Sequence, residues 1–289
     1  MPASTPIGAR RRYLCWNNHG SITSIDEGTH NVVEILPSDR QNGRTSRFQD
    51  TWGFMVGALS PAGAVFASPG EVDKDEARDD MDGGGGGGGG GGSGRRSVLY
   101  YKNLGRSGAA AAQWTKMLPA CELVLLVAVG AGWAAAATNR RLVRVFTASG
   151  FQSEVFALPG PVVCMAGEGP FISVTYHAAT PAGDDQSLEN LVLDVMGRRE
   201  LVKSRMCLSP KSILLWTGVQ EDGMAVAMDS AGVVWALVMS LGWQWLPMID
   251  TKEGRKNKTD LCWPVGILAG RLTCVVLKGG EEHPSTQPR

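Results

Sequence analysis

Histidine and cysteine side chains are the first candidates for nucleophilic or metal chemistry, and in this sequence they are scattered. No two cysteines are closely spaced, and no histidine lies near a cysteine or another histidine at the spacing of a zinc site. Most of the cysteines sit inside apolar runs, so we interpret them as buried thiols of a protein from a reducing compartment. The residues concerned are Cys15, Cys121, Cys164, Cys207, Cys262 and Cys274, with His19, His30, His177 and His283.

The remaining polar residues give little support to acid–base catalysis. His177 follows an apolar run and is interpreted as a turn or rim residue, not as a general base. The acid pairs Asp184–Asp185 and Glu221–Asp222 lie in predicted turns, where carboxylates commonly accept hydrogen bonds from neighbouring backbone N–H groups. No Gly-x-Ser-x-Gly motif is present. We therefore predict no catalytic residue, no metal and no cofactor, and a protein that is not an enzyme.

Nucleic-acid binding is also weakly supported by the residues themselves. The loop from Asp250 to Asp260 is basic, but its interspersed acids favour a solvated loop over a phosphate site. Lys+Arg and Asp+Glu number 28 each, so no overall charge attracts DNA, and direct contact with DNA or chromatin is a weak expectation. Tryptophans can stack on bases, but five of the nine lie in apolar runs that favour core packing: Trp16, Trp133, Trp216, Trp235 and Trp263.

The elements that position these residues are read best from the most apolar stretch, Glu122 to Phe146. A membrane-spanning helix needs roughly 20 apolar residues. The run 123–137 is shorter than that and contains Gly130 and Gly132. Its pattern predicts strands over 123–129 and 133–138, followed by strands over 142–146 and 152–158. The small alanines of the second strand suit burial on both faces. We predict no membrane contact, and the N-terminus lacks the apolar run of a secretory signal.

One segment differs in composition from the rest of the chain. Glu71–Asp82 has seven acids and two bases, and ten glycines follow. Such a segment cannot bury enough apolar surface to offset its ordering entropy. We predict a disordered insertion over Gly70–Arg96 in a surface loop, and a smaller loop enlargement over Ser107–Ala112. The polyglycine is not a phosphate-binding loop, because the Lys-Ser/Thr ending is missing.

Apart from that insertion, a pattern of apolar run, Gly-containing turn and second apolar run recurs about every 40 to 50 residues, as in propeller blades. Helix signals are nearly absent. The tally is three strands in the first unit, four in each of the next four and two in the last. The sequence therefore predicts an all-β, six-bladed β-propeller over residues 11–279 whose last blade is incomplete. Residues 1–10 are predicted to be a disordered N-terminus and 280–289 a tail.

Several stretches resemble the middle domain of a eukaryotic replisome adaptor family. This family is known as the minichromosome-loss or chromosome-transmission-fidelity protein, and in animals as the WD-repeat and HMG-box DNA-binding protein. The resemblance runs from about Arg10 to Lys278, but the insertions have no counterpart. The stretches are RRYLCWNNHGSI (Arg11–Ile22), GWAAAATNRRLVRVFTASGFQSEVFALPGPVVCMAGEG (Gly132–Gly169, the most specific), YHAAT (Tyr176–Thr180), LLWTGVQEDGMAVAMDSAGVV (Leu214–Val234) and WLPMIDTKEGRKNKTDLCWPVGI (Trp245–Ile267).

The resemblance implies a non-enzymatic scaffold. In that family the middle domain is a six-bladed propeller through which three subunits assemble, and a following helical domain captures peptides. The protein links the replicative helicase to the priming DNA polymerase. The implied setting is the nucleus, with DNA replication, chromosome cohesion and DNA repair as processes. The family's N-terminal propeller, helical domain and HMG box lie outside this sequence, so peptide capture is not assigned to any residue here.

Two alternatives remain open at this stage. The first is a generic propeller module that binds a protein or peptide unrelated to replication. The second is a propeller enzyme with a site in the central channel. Its signature would be acids or histidines converging from the innermost strands, and the sequence shows none. The incomplete last blade exposes a strand edge, so we expect residues 1–289 alone to be poorly soluble or to associate nonspecifically.

Overall fold

The computed structural model describes residues 5–6, 9–39, 45–70, 96–105, 113–181, 183–268 and 270–286. The described residues contain 22 strands and one short 3-10 turn at Met239–Leu241. None of their helical turns is long and apolar enough to cross a membrane. The predicted insertion, apart from Gly70 and Arg96, and the whole of the predicted Ala-rich loop (Ser107–Ala112) lie outside the described residues.

The strands form six antiparallel sheets, each a meander in chain order, which we number sheet 1 to sheet 6. Sheet 1 holds β1 to β4 (Arg11–Asn17, Gly20–Asp26, Asn31–Pro37, Ser46–Asp50). Sheet 2 holds β5 to β8 (Val56–Leu59, Gly63–Ser68, Val98–Asn103, Gln113–Met117). Sheet 3 holds β9 to β12 (Val124–Val129, Trp133–Thr138, Leu142–Thr147, Gln152–Ala157).

The second half of the chain continues in the same way. Sheet 4 holds β13 to β16 (Val162–Glu168, Phe171–His177, Leu188–Asp194, Arg199–Arg205). Sheet 5 holds β17 to β20 (Leu214–Val219, Ala225–Asp229, Val233–Val238, Gln244–Asp250). Sheet 6 holds β21 and β22 (Leu261–Leu268, Arg271–Leu277).

The first strand of each sheet contacts the first strand of the next sheet, in the order β1, β5, β9, β13, β17 and β21. Strand β21 in turn contacts β1. The sheets therefore stand in a ring around a central channel, with their first strands innermost, which is the architecture of a β-propeller. This confirms the predicted all-β propeller. The number of blades in the complete protein and the incompleteness of the last one stay predictions.

Strand β10 shows how the sequence encodes this ring. All its residues are buried, and the side chains of Ala134 to Ala137 have no exposed surface. Alternate alanines face opposite neighbours: Ala134 and Ala136 pack in a core with sheet 2, while Ala135 and Ala137 pack in a core with sheet 4. Because both faces are covered, the strand is a continuous apolar run with small side chains. The predicted burial on both faces is confirmed.

Sheet 1 corrects the predicted strand tally, because it has four strands where the sequence predicted three in the first unit. The fourth, β4, pairs with β3 from Asn31↔Asp50 to Ile35↔Ser46. Its pattern is polar and half-exposed, since it is the outermost strand of its sheet and, among the described strands, pairs only with β3. Outer strands lack the apolar run by which the inner strands were recognised.

The acidic-polyglycine segment joins two strands that pair directly. Strands β6 and β7 are antiparallel neighbours, with Ser68 opposite Val98. The Ser97 hydroxyl donates a hydrogen bond to the Pro69 carbonyl, so the two ends of the segment are held together. A loop with closed ends can be long at small entropic cost, because closure entropy rises slowly with length.

Candidate functional site

All six sheets line the central channel, which contains a cavity of about 80 Å³. The cavity lies toward the ends of the innermost strands, where each turns into the second strand of its sheet. Its polar side chains are Asn17, Asn18, Glu168, Thr217 and Gln220, and Trp16 and Trp216 are its aromatic members. We take this mouth of the channel as the candidate functional site.

The turn between β1 and β2 reaches three other sheets at this mouth. The Asn17 amide donates to the Leu59 carbonyl of sheet 2 at 2.7 Å. The Asn18 amide donates to the Ile267 carbonyl of sheet 6 at 2.7 Å. We call Asn17, Asn18 and His19 the channel clasp, since they join the first sheet of the ring to the last.

His19, the third clasp residue, crosses the channel. Its Nε2 lies 2.7 Å from Oε2 of Glu168, at the end of β13 in sheet 4. Sheet 4 is three steps from sheet 1 in either direction around the ring, so the pair spans the mouth and does not join neighbours. The two side chains are 21% and 19% exposed, so solvent still reaches them.

Hydrogen bonds between neighbouring sheets continue around the same mouth. The Ser60 hydroxyl approaches the Gly130 carbonyl at 3.4 Å, which connects sheets 2 and 3. The indole N–H of Trp133 and the backbone N–H of Ala131 both donate to the Gly169 carbonyl, at 3.0 and 2.7 Å, which connects sheets 3 and 4. A Cβ on Gly130 would lie 2.3 Å from that carbonyl oxygen, so this close approach requires glycine.

Two buried carboxylates stabilise the sheets away from the mouth. Glu122 forms a bidentate pair with Arg144, and the hydrogen bond from the guanidinium lowers the pKa of Glu122. Asp229 is fully buried, which opposes its ionisation. Hydrogen bonds from Ser209, Trp235 and the backbone of Val233 outweigh that burial and lower the pKa of Asp229. Both carboxylates are charged structural acceptors with satisfied partners.

The thiol and carboxylate groups near the mouth have limited chemical reactivity in the described structure. Burial raises the pKa of the nearby Cys15 thiol to about 12, so it supplies no thiolate nucleophile. Within the described part of the chain, no three His, Cys, Asp or Glu side chains are grouped to hold a metal ion.

The His19–Glu168 pair corrects one expectation from the sequence. The sequence predicted no acids or histidines converging from the innermost strands, and the structure brings these two side chains together. The residues are 149 positions apart, so no sequence spacing could reveal the contact. The motif RRYLCWNNHGSI was the available signal, but it marked a family resemblance and not a contact.

The other candidates for catalysis do not converge on one site. His177 ends β14, and its backbone N–H donates to the Pro161 carbonyl. Asp222 accepts a hydrogen bond from the backbone N–H of Met224, two residues on, as predicted for a turn carboxylate. Asp185 instead accepts from the backbone N–H of Lys211, which is 26 residues away in the chain. In the loop 250–260, Asp250 likewise accepts from the Lys252 N–H, and most of the loop is exposed.

The tryptophans and cysteines follow the burial predicted for them only in part. Trp133 and Trp216 are buried, as predicted. Trp16 and Trp263 are half-buried and pack against each other, with their ring centroids 5.7 Å apart.

Cys207 is exposed, because it follows β16 in a loop, and this corrects the prediction that it is a buried thiol. Cys15 and Cys164 are buried, and Cys121, Cys262 and Cys274 are intermediate; within the described residues none of the six forms a disulfide.

Comparison with solved structures supports the fold alone. The chain aligns with the structure of KlHsv2 with loop 6CD replaced by a Gly-Ser linker, at a TM-score of 0.52 and 11% identity. The alignment covers 96% of this chain and 77% of that one.

Comparison with curated sequences identifies relatives along the whole chain. Protein ENHANCER OF LHP1 1 of Arabidopsis thaliana is 30% identical over 289 residues, which is 99% of this chain and 28% of that protein. WD repeat and HMG-box DNA-binding protein 1 of Homo sapiens is 30% identical over 290 residues, which is 24% of that protein. The chain thus spans about a quarter of the length of these relatives. The family model for the middle region of minichromosome loss protein Mcl1 matches residues 1–289, and the chain belongs to this family.

Proposed function

We propose that this chain is the non-enzymatic scaffold propeller of a replication-fork adaptor that links the replicative helicase to the priming DNA polymerase. The observation that carries the proposal is the match of the Mcl1 middle-region family to the whole chain. Family membership supports a role in DNA replication. The ring of sheets supports a role as a scaffold. The proposed setting is the nucleus, in DNA replication and chromosome maintenance, including cohesion and repair.

The channel mouth supports a scaffold role because it fixes the relative positions of the sheets. Asn17 and Asn18 connect sheet 1 to sheets 2 and 6 by hydrogen bonds. The hydrogen bonds to the Gly130 and Gly169 carbonyls connect sheet 2 to sheet 3 and sheet 3 to sheet 4. A ring fixed in this way presents its outer strands and loops as a rigid surface. Rigid surfaces bind with less loss of conformational entropy than mobile ones.

Self-association is part of the proposal, with three copies as the expected assembly. Large apolar side chains on the outside of the ring are consistent with buried contacts in an assembly. Phe151 is 70% exposed, Met117 on β8 is 60% exposed and Met248 on β20 is 57% exposed. Isolated exposed apolar residues are normal on monomers, so these side chains do not define an interface.

We propose that residues 1–289 bind DNA only weakly. The human relative is named a DNA-binding protein, whereas the formal net charge of this chain is zero. Binding to DNA phosphates depends on clustered lysine and arginine side chains. Any affinity of residues 1–289 for DNA should therefore fall steeply as the salt concentration rises.

Affinity capture from nuclear extract tests the proposal with the full-length protein as bait. Recovery of helicase and priming-polymerase subunits is the expected result, and it should persist after nuclease treatment, because the proposed contacts are between proteins. A reproducible set of unrelated partners would support the generic binding module instead. Deleting residues 11–279 from the bait should weaken recovery if the propeller contributes to assembly.

A further inference from the structure

We propose that the channel mouth binds the guanidinium group of an arginine side chain presented by a partner peptide. This site goes beyond the scaffold role and does not depend on the identity of the replication partners. It is built from Glu168 and Gln220 at the rim, the indole of Trp216 in the wall, and the free edges of the innermost strands.

The sign of the charge at the mouth selects a cation. Glu168 is the only charged residue among the described residues that line the cavity. Its Oε2 contacts His19 Nε2, but its Oε1 has no hydrogen-bond partner in the described part of the chain. An imidazole N–H can donate the bond to Oε2, which leaves the second carboxylate oxygen open to a ligand.

Further acceptors line the same cavity. The Gln220 side chain makes no hydrogen bond to any described residue, so its amide oxygen is available to a donor. Each innermost strand pairs on one side only, because it stands at the end of its sheet. The backbone carbonyls on its other edge therefore face the channel, and no strand of the described part of the chain pairs with them. A ligand at the mouth meets acceptors from several directions.

The size of the cavity limits the ligand to a small head group. An engineered cavity of about 150 Å³ holds benzene, and this cavity measures about 80 Å³. A nucleotide or an aromatic side chain is too large, whereas a planar group of four heavy atoms fits. Glu168 is 19% exposed, so the group can enter from solvent with its chain left outside.

Guanidinium suits this set of acceptors better than ammonium. It has five donors in a fixed plane, is less strongly hydrated and stacks on aromatic rings, so it can meet a carboxylate oxygen, an amide and an indole together. An ammonium group has three donors and loses more hydration on entering the channel. A carboxylate or phosphate ligand would face the charge of Glu168.

Ligand-observed saturation-transfer NMR tests the proposal with Nα-acetyl-L-arginine N-methylamide as the probe. The matched neutral probe is the citrulline derivative, which keeps the shape and loses the charge. We expect the arginine probe to bind at least tenfold more tightly than the citrulline probe, and more tightly than the corresponding lysine probe. Equal binding of arginine and citrulline, or no arginine binding, would overturn the site. Lysine binding equal to or tighter than arginine would overturn the assignment to guanidinium.

Two variants locate the binding. Glu168→Gln should weaken arginine binding at least tenfold, since it removes the charge and keeps the side-chain volume. Glu221→Gln makes the same change on an exposed turn outside the cavity and should leave binding unchanged. Unchanged binding in Glu168→Gln, or equal losses in both variants, would contradict the location. If Glu168→Gln fails to fold, the comparison of arginine with citrulline on the natural protein still decides the question.

Discussion

Replacing Glu122 by glutamine tests whether a buried ion pair stabilises sheet 3. Two hydrogen bonds join the guanidinium of Arg144 to the Glu122 carboxylate, Nε to Oε1 at 2.8 Å and Nη2 to Oε2 at 2.7 Å. The Glu122 side chain is 2% exposed and the Arg144 side chain 15% exposed. The variant leaves the Arg144 charge with little solvent and without its carboxylate.

The expected cost follows from this geometry. Removing one partner of a buried ion pair destabilises a protein by about 3–5 kcal/mol. Arg144 keeps some solvent contact and also donates to Gln152 at 2.9 Å, which favours the lower end. We expect Glu122→Gln to lower the free energy of unfolding by about 3 kcal/mol, measured by urea denaturation at pH 7.

The same pair predicts a pH dependence of stability. The pKa of Glu122 is lowered in the folded protein, so its contribution is fully present above the unfolded pKa of about 4.3. The contribution is lost as the pH falls through the folded pKa. The difference in unfolding free energy between the natural protein and Glu122→Gln should therefore be constant near neutrality and shrink in acid.

A matched control separates burial from charge. Glu154→Gln removes an exposed carboxylate 3.2 Å from Arg198, and surface pairs of this kind contribute about 1 kcal/mol or less. Replacing both members of the buried pair, Glu122→Leu with Arg144→Met, should cost less than Glu122→Gln alone. A loss below about 1 kcal/mol for Glu122→Gln, equal to that of the surface control, would refute the reasoning.

Three further predictions concern packing and thiol reactivity. Gly130→Ala should lower the melting temperature markedly, because its new Cβ would meet a carbonyl oxygen at 2.3 Å, whereas Gly254→Ala, with open space around it, should not. Asn17→Ala should cost about 2 kcal/mol in urea denaturation, since its amide makes two hydrogen bonds of about 1 kcal/mol each; no measurable loss would contradict the clasp. A thiol reagent at pH 8 should label exposed Cys207 quickly and buried Cys15 only after unfolding; equal labelling rates in the folded protein would contradict the burial of Cys15.

The strands of sheet 3 were predictable because their signal is local. The predicted ranges 123–129 and 133–138 match the observed strands Val124–Val129 and Trp133–Thr138 within one residue. Burial on both faces produces apolar runs, and the glycine turn between them ends each run. Strand β4, Ser46–Asp50, lacks that signal, because an outermost strand is half-exposed and can be polar.

The channel mouth was not predictable from local signals. The asparagines of the β1–β2 turn indicate a turn, but their partners Leu59 and Ile267 are set by closure of the ring. The contact of His19 with Glu168 depends on two sheets standing opposite each other across the channel. Contacts of this kind depend on how many sheets form the ring and on which sheets face each other. No local sequence pattern reports which residues meet across the ring.

The mass of the full-length protein in solution tests the central claim, that this propeller belongs to a self-assembling scaffold. Light scattering after size-exclusion chromatography at micromolar concentration should give the mass of three copies. Preparing the full-length protein without residues 11–279 should reduce the number of copies in the assembly, calculated from the measured mass and the smaller mass of each copy. A strictly monomeric full-length protein, or an assembly unaffected by removing the propeller, would contradict the account.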